Sequence, residues 1–201
     1  MRKFPLLLII FPLLLLHANI YGQNFYFSIS KTEPHSPEVF KASYSSSPEV
    51  GLGLTDLIGN RFFYSVGFGY FRKSLDSEKL LDSVTDTSFT VIGGDLSYFR
   101  LQTGLGYIFM KPSEWIYPYL NGALAVGVYT EDPIFTSPDS EYEIPSSGGL
   151  RLRTTVGVGI QTWPVMDILG VSLGYEFATL FTGESRGAVN FSAIRLQIVI
   201  Q

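Results

Sequence analysis

The sequence predicts an all-β chain: an eight-stranded antiparallel transmembrane β-barrel. Three observations carry this reading. Apolar residues alternate with small or polar ones over stretches of a dozen residues or more, longer than the ~5–6-residue strands of soluble sheets. Eight such stretches follow an apolar leader. Their connections alternate long and short, as in barrels with long external loops and short periplasmic turns. The composition is 46% hydrophobic and 15% aromatic but only 16% charged, with 20 glycines, which suits lipid-facing strands with aromatic girdles. After the leader no run of ~18 apolar residues occurs, so a span of this membrane would be made of strands rather than helices.

The leader, residues 1–22, reads as a secretory signal. Arg2 and Lys3 form its positive start, residues 6–16 its apolar core, and Gly22 the small residue before a cut ahead of Gln23. The run is short for a span of ~20 residues, and Pro5 and Pro12 interrupt it. Residues 23–201 then form the barrel domain. The chain has no cysteine, which excludes a disulfide framework, thiolate metal sites, a cysteine nucleophile and a lipoprotein anchor. Its net charge is −4 and falls further when Arg2 and Lys3 leave, which argues against a nucleic-acid partner.

The first strand, 24–30, puts Phe25, Phe27 and Ile29 on one face. Residues 31–48, rich in Ser and Pro, read as a long loop. The second strand, 49–56, alternates Val50, Leu52 and Leu54 with Gly51 and Gly53, and Gly59-Asn60 make the next turn. The third, 61–73, sets Phe62, Tyr64, Val66, Phe68 and Tyr70 against Ser65, Gly67 and Gly69, and a charged loop follows at 74–86. The fourth, 87–109, is unusually long, with Gly93-Gly94 as a candidate bulge. After a turn at 110–114 the fifth strand, 115–130, places Leu120, Leu124, Val126 and Val128 opposite Asn121, Ala123, Ala125 and Gly127. Residues 131–148 read as an acidic loop without Lys or Arg. The sixth strand, 149–163, the seventh, 168–181, and the eighth, 187–201, keep the alternation, with a turn at 164–167 and a modest link at 182–186. The short turns at 56–60, 110–114 and 164–167 fall at one end with both chain ends, the periplasmic side. Phe62, Tyr107, Phe109, Trp115, Tyr117, Tyr119 and Trp163 cluster near that end and Tyr70 and Tyr129 near the other, where interfacial girdles belong.

The hairpin Tyr98-Phe99-Arg100-Leu101, turn, Pro118-Tyr119-Leu120-Asn121-Gly122-Ala123 resembles the outer-membrane β-barrel domain family of Bacteroidetes-type bacteria, including its small PorT-like proteins. The general layout covers the whole mature chain, and the motif about thirty residues. Gln102 stands where that family usually has proline, and Gln201 ends the chain where many outer-membrane proteins have an aromatic. The resemblance implies an integral protein of the cell outer membrane.

Arg100, Arg151, Arg153, Glu176 and Arg195 all fall on the small, polar faces. An eight-stranded barrel is just wide enough for its own side chains to fill, and an unpaired buried ion costs several kcal/mol. The expectation is a Glu176–arginine network plugging the lumen, with Glu176 beside Thr155 across one pairing and Ala193 across the other. The leading function is therefore non-enzymatic: a structural, adhesion or interaction protein embedded in outer-membrane lipid, with an unidentified external or periplasmic protein partner. No cofactor, metal or catalytic residue is expected. Alternatives are a narrow pore or transport component, a lipid-modifying barrel enzyme, and a secreted lipocalin-like barrel with inside and outside exchanged. Lipid A deacylase-type barrels use a membrane-facing histidine and serine on a strand with a carboxylate, and no predicted strand holds a histidine. The palmitoyltransferase type draws histidine, aspartate and serine from external loops, where His35 and Asp76 or Ser77 lie without a matching motif. The acidic loop matches no calcium spacing, and the GLGLT, GFGY and GVGI runs lack the helix a phosphate loop needs.

Overall fold

A strand with one apolar and one small or polar side must turn one of them inward, and barrel closure makes that choice common to every strand. The computed structural model describes residues 24–37, 41, 43–76, 90–110, 116–132, 134–137, 143–144, 147–162, 169–183 and 187–200. The strands are β1 (Asn24–Ser36), β2 (Ser47–Ile58), β3 (Phe62–Lys73), β4 (Thr90–Gly93), β5 (Leu96–Ile108), β6 (Ile116–Glu131), β7 (Ile134–Ser137), β8 (Glu143–Ile144), β9 (Ser147–Thr162), β10 (Leu169–Gly183) and β11 (Gly187–Ile200). Eight of them close an antiparallel barrel in the order β1-β11-β10-β9-β6-β5-β3-β2, so the first and last strands pair. The short β4, β7 and β8 form a separate three-stranded sheet.

The apolar faces point out. Phe25, Leu105 and Val156 are 64%, 63% and 59% exposed, and the same outward row runs through every barrel strand. A lipocalin-like barrel would hold these residues inside, so that alternative is overturned. Ile200 pairs with Phe25 and Leu169, and Asn24 pairs with Thr55 near the Gly59 turn. Both ends of the barrel sheet therefore lie at the short-turn end, as the alternation of connections predicts.

Four expectations change. β1 continues to Ser36 through the segment read as loop. Its upper half is polar on both faces, so no apolar contrast marks it, but ladders to β11 and β2 hold it. The long fourth strand breaks where Gly93 and Gly94 take φ of 90° and 80°, a left-handed conformation that ends a ladder. The result is β4 and β5 rather than one bulged strand. The acidic loop contains β7 and β8, which pair with each other and with β4. Finally, Tyr117, Tyr119 and Tyr129 are buried in the lumen rather than placed in girdles. They share parity with Asn121, Ala123 and Ala125, so the pleat turns them inward. Phe62, Phe109 and Tyr70 do face outward. The leader, Trp115 and Trp163 lie outside the described residues.

Candidate functional site

The lumen is filled in three tiers. At the mouth opposite the short turns Tyr44, Phe71, Leu96, Tyr98, Tyr129, Leu180, Val189 and Phe191 form one buried cluster. Lys73 is buried against it, its Nζ 5.9 Å from the Phe71 ring centre and 5.5 Å from that of Phe191, and donates to the carbonyls of Thr32 (3.1 Å) and Ser45 (3.3 Å). Glu131 receives the hydroxyls of Tyr44 (3.2 Å) and Tyr129 (3.1 Å).

The middle tier is ionic. Glu49 lies between two arginines: Arg100 Nη2 donates to Oε1, and Arg153 Nη1 donates to Oε2 at 2.8 Å. Arg100 Nε donates to Gln102 Oε1 (3.0 Å), and Gln102 Nε2 to Tyr26 Oη (3.3 Å). Arg195 Nη1 pairs with Glu176 Oε1 at 2.8 Å. Facing glycines give these long side chains room. A Cβ on Gly69 would come within 2.7 Å of Arg100 Cζ, and one on Gly157 within 2.9 Å of Glu176 Cγ.

Below this, the Tyr119 and Ser172 hydroxyls bond at 2.9 Å, and Phe63 meets Tyr119 edge to face at 5.7 Å. A cavity of about 20 Å³ remains at the short-turn end, lined in part by Asn24, Phe63, Tyr117 and Val199. That is room for about one water.

Of the five charges picked out from the sequence, the structure joins Glu176 to Arg195 and places Arg100 and Arg153 on Glu49 instead. Arg151 is half-buried on β9 and donates to the Leu150 carbonyl at 3.1 Å, away from either carboxylate. Glu176 stands beside Ala193 as expected, but beside Gly157 rather than Thr155. The expected register across the 164–167 turn was short by two residues. Sequence reasoning missed Glu49, although its parity with Gly51 and Gly53 marked it as inward. It stands at the edge of the predicted strand, next to the Ser- and Pro-rich stretch that reads as loop.

One expectation is corrected outside the lumen. His35 belongs to strand β1 and faces outward, and its Nε2 lies 2.6 Å from Ser192 Oγ on β11. Asp76 lies beyond β3, its backbone N–H donating to the Ser43 carbonyl at 2.8 Å, and Ser77 lies outside the described residues. Among the described residues no group of three or more His, Asp or Glu is placed to hold a metal ion.

No family model and no curated protein matches the chain. Solved structures do. Neisserial surface protein A is 13% identical, with a TM-score of 0.54 over 89% of this chain and 96% of its own. Ail, the attachment invasion locus protein of Yersinia pestis, is 12% identical, with a TM-score of 0.51 over 89% and 97%. The outer membrane enzyme PagL is 12% identical, with a TM-score of 0.50 over 86% and 97%. At these identities the likeness shows the fold, that of the small outer-membrane barrels.

Proposed function

We propose that the chain is an integral outer-membrane barrel whose lumen is closed, an anchor that presents its long-loop end to the cell exterior. The observation that carries this is the filling of the lumen: among the described residues an aromatic tier is packed above a Glu49-centred ionic tier. The outward apolar rows are the lipid-facing band such a barrel needs. The small β4-β7-β8 sheet stands beyond the band at the mouth opposite the short turns and gives the exterior a structured surface for a protein partner. Attachment, the role in the name of Ail, is one function of this kind. The PorT-like resemblance, removal of residues 1–22 and placement of the short turns in the periplasm belong to the same reading.

Planar-bilayer conductance of the refolded protein tests it, with folding checked by a heat-dependent gel shift. Folded wild type is expected to be silent. Steady wild-type conductance would overturn the closed lumen in favour of a narrow pore, and a change in Glu176→Gln would then put that carboxylate in the path.

A further inference from the structure

We propose that the outer surface of the barrel carries an ester-cleaving centre, in which Ser192 is the nucleophile and His35 its base, acting on the acyl esters of outer-leaflet lipid. The two side chains come from the first and last strands and meet with His35 Nε2 2.6 Å from Ser192 Oγ. With the ring proton on Nδ1, Nε2 accepts the serine hydroxyl, the arrangement that activates a serine for attack.

The local backbone is built to bring them together. The β1–β11 register shifts between Pro34 and Ser36: Pro34 pairs with Phe191 and Ser36 with Asn190, leaving His35 as the extra residue. Pro34 has no N–H for the ladder, so a bulge is tolerated here, and a bulge re-aims a side chain. The neighbours hold the bulge. Thr179 Oγ1 donates to Asn190 Oδ1 (2.8 Å), and Asn190 Nδ2 to Ser36 Oγ (2.7 Å), tying three strands together beside the histidine. Ser192 is 6% exposed, so its hydroxyl is screened from bulk water while the imidazole is open.

The position selects the substrate. Down β11 the outward residues are Ile194, Leu196, Ile198 and Ile200, and down β1 they are Ile29, Phe27 and Phe25, all exposed. At the end away from the short turns, the dyad stands beside Ile194 and the exposed Phe177 that pairs with Ser192, while outward Lys31 and Glu33 separate it from Ile29 along β1. That is the level of the boundary between acyl chains and headgroups, where ester carbonyls lie. A groove of about 470 Å³ lies next to the pair on the side of the short turns, with Ile29, Ile194 and Leu196 as its apolar wall and Lys31 and Ser46 as polar members. Lys31 is paired with Glu33 at 3.3 Å, so an apolar wall under a charge-balanced polar rim suits an amphiphile.

The reaction is hydrolysis with water as co-reactant. Ser192 Oγ bonds to the acyl carbon as its proton passes to His35 Nε2. The ester C–O bond breaks, and the leaving alcohol takes that proton. Water then attacks the acyl-serine, giving its proton to His35, and the fatty acid leaves as Ser192 is restored.

The full-length protein, purified from membranes and shown folded by its heat-dependent gel shift, is placed in vesicles of phosphatidylethanolamine and phosphatidylglycerol, or in the same vesicles with lipopolysaccharide. Released fatty acid is read by mass spectrometry, and a fluorophosphonate reports on serine activation. Release from either vesicle is expected, the vesicle identifying the lipid source. It should fall ~10²–10⁴-fold in His35→Gln and vanish in Ser192→Ala, with the fluorophosphonate on the Ser192 peptide only when His35 is present. Absence of release from both vesicles by folded wild type overturns the proposal, as does release that persists in Ser192→Ala. Should Ser192→Ala not fold, labelling of wild type decides: an unmodified Ser192 overturns it. Conductance plays no part in these readouts, so the closed lumen stands or falls separately.

Discussion

At the scale of single residues, the weight of the lumen rests on Glu49. It neutralises two buried guanidinium groups at once, and removing one partner from a buried ion pair costs roughly 3–5 kcal/mol because the remaining charge stays buried. Glu49→Ala is therefore expected to destabilise the barrel by about that amount in urea titrations followed by the heat-dependent gel shift. Glu176→Ala leaves only Arg195, which is more exposed than Arg153, and should cost less. Equal losses would show that Glu49 does not organise the tier. The inward parity of Arg100, Arg153, Glu176 and Arg195 was legible in the sequence because a pleat alternates strictly. The identity of each arginine's partner was not. Partners lie on strands that are neighbours only once closure and register are known: Glu49 and Arg153 are 104 residues apart. Arg151 shares the parity of Arg153 but stands one layer nearer the mouth, beyond reach of either carboxylate.

At the scale of the strand, the two faces obey opposite rules. Leu124 is 55% exposed on β6, paired with Thr103 and Thr154 at mid-strand. Leu124→Arg puts a charge on the lipid face near the midplane and is expected to cost ~2–4 kcal/mol, measured by urea unfolding in lipid vesicles. An effect near zero would mean that this face does not meet hydrocarbon. On the other face of the same strand, a Cβ at Gly127 would strike the Phe99 carbonyl and the Arg100 backbone. Gly127→Val should therefore keep the chain from reaching the gel-shifted form, whereas Ala123→Ser, of similar size to the native residue, should not. Strand existence and facing were readable from period-two alternation, and so was the long-short order of connections. What escaped was structure without apolar contrast. The upper half of β1 alternates polar with polar, and β4, β7 and β8 are too short to show a period. The bulge at His35 escaped for a related reason, since it is a break in the alternation that only a paired neighbour reveals.

At the scale of the molecule, closure joins features that the chain keeps far apart. Lumen and outer surface are separate compartments of one wall: substitutions in the ionic tier should change stability and leave lipid cleavage by His35 and Ser192 intact, while His35→Gln should leave the gel-shift midpoint within about 0.5 kcal/mol of wild type, as exposed positions usually do. A coupled loss in both would mean that the dyad is a structural clasp. The fold as a whole was legible because its requirements are repetitive: every strand must satisfy the same two solvents. The site on its surface was not, because it depends on one contact. That contact has a consequence for biogenesis. His35 and Ser192 are 157 residues apart and sit on the two strands of the seam, so the pair cannot exist in a nascent chain, in an unfolded precursor crossing the periplasm, or in an open sheet still waiting for its last strand. The proposed hydrolytic centre, assembled by the final act of insertion, would be switched on only after the barrel has reached its own membrane, and the membranes passed on the way would be spared.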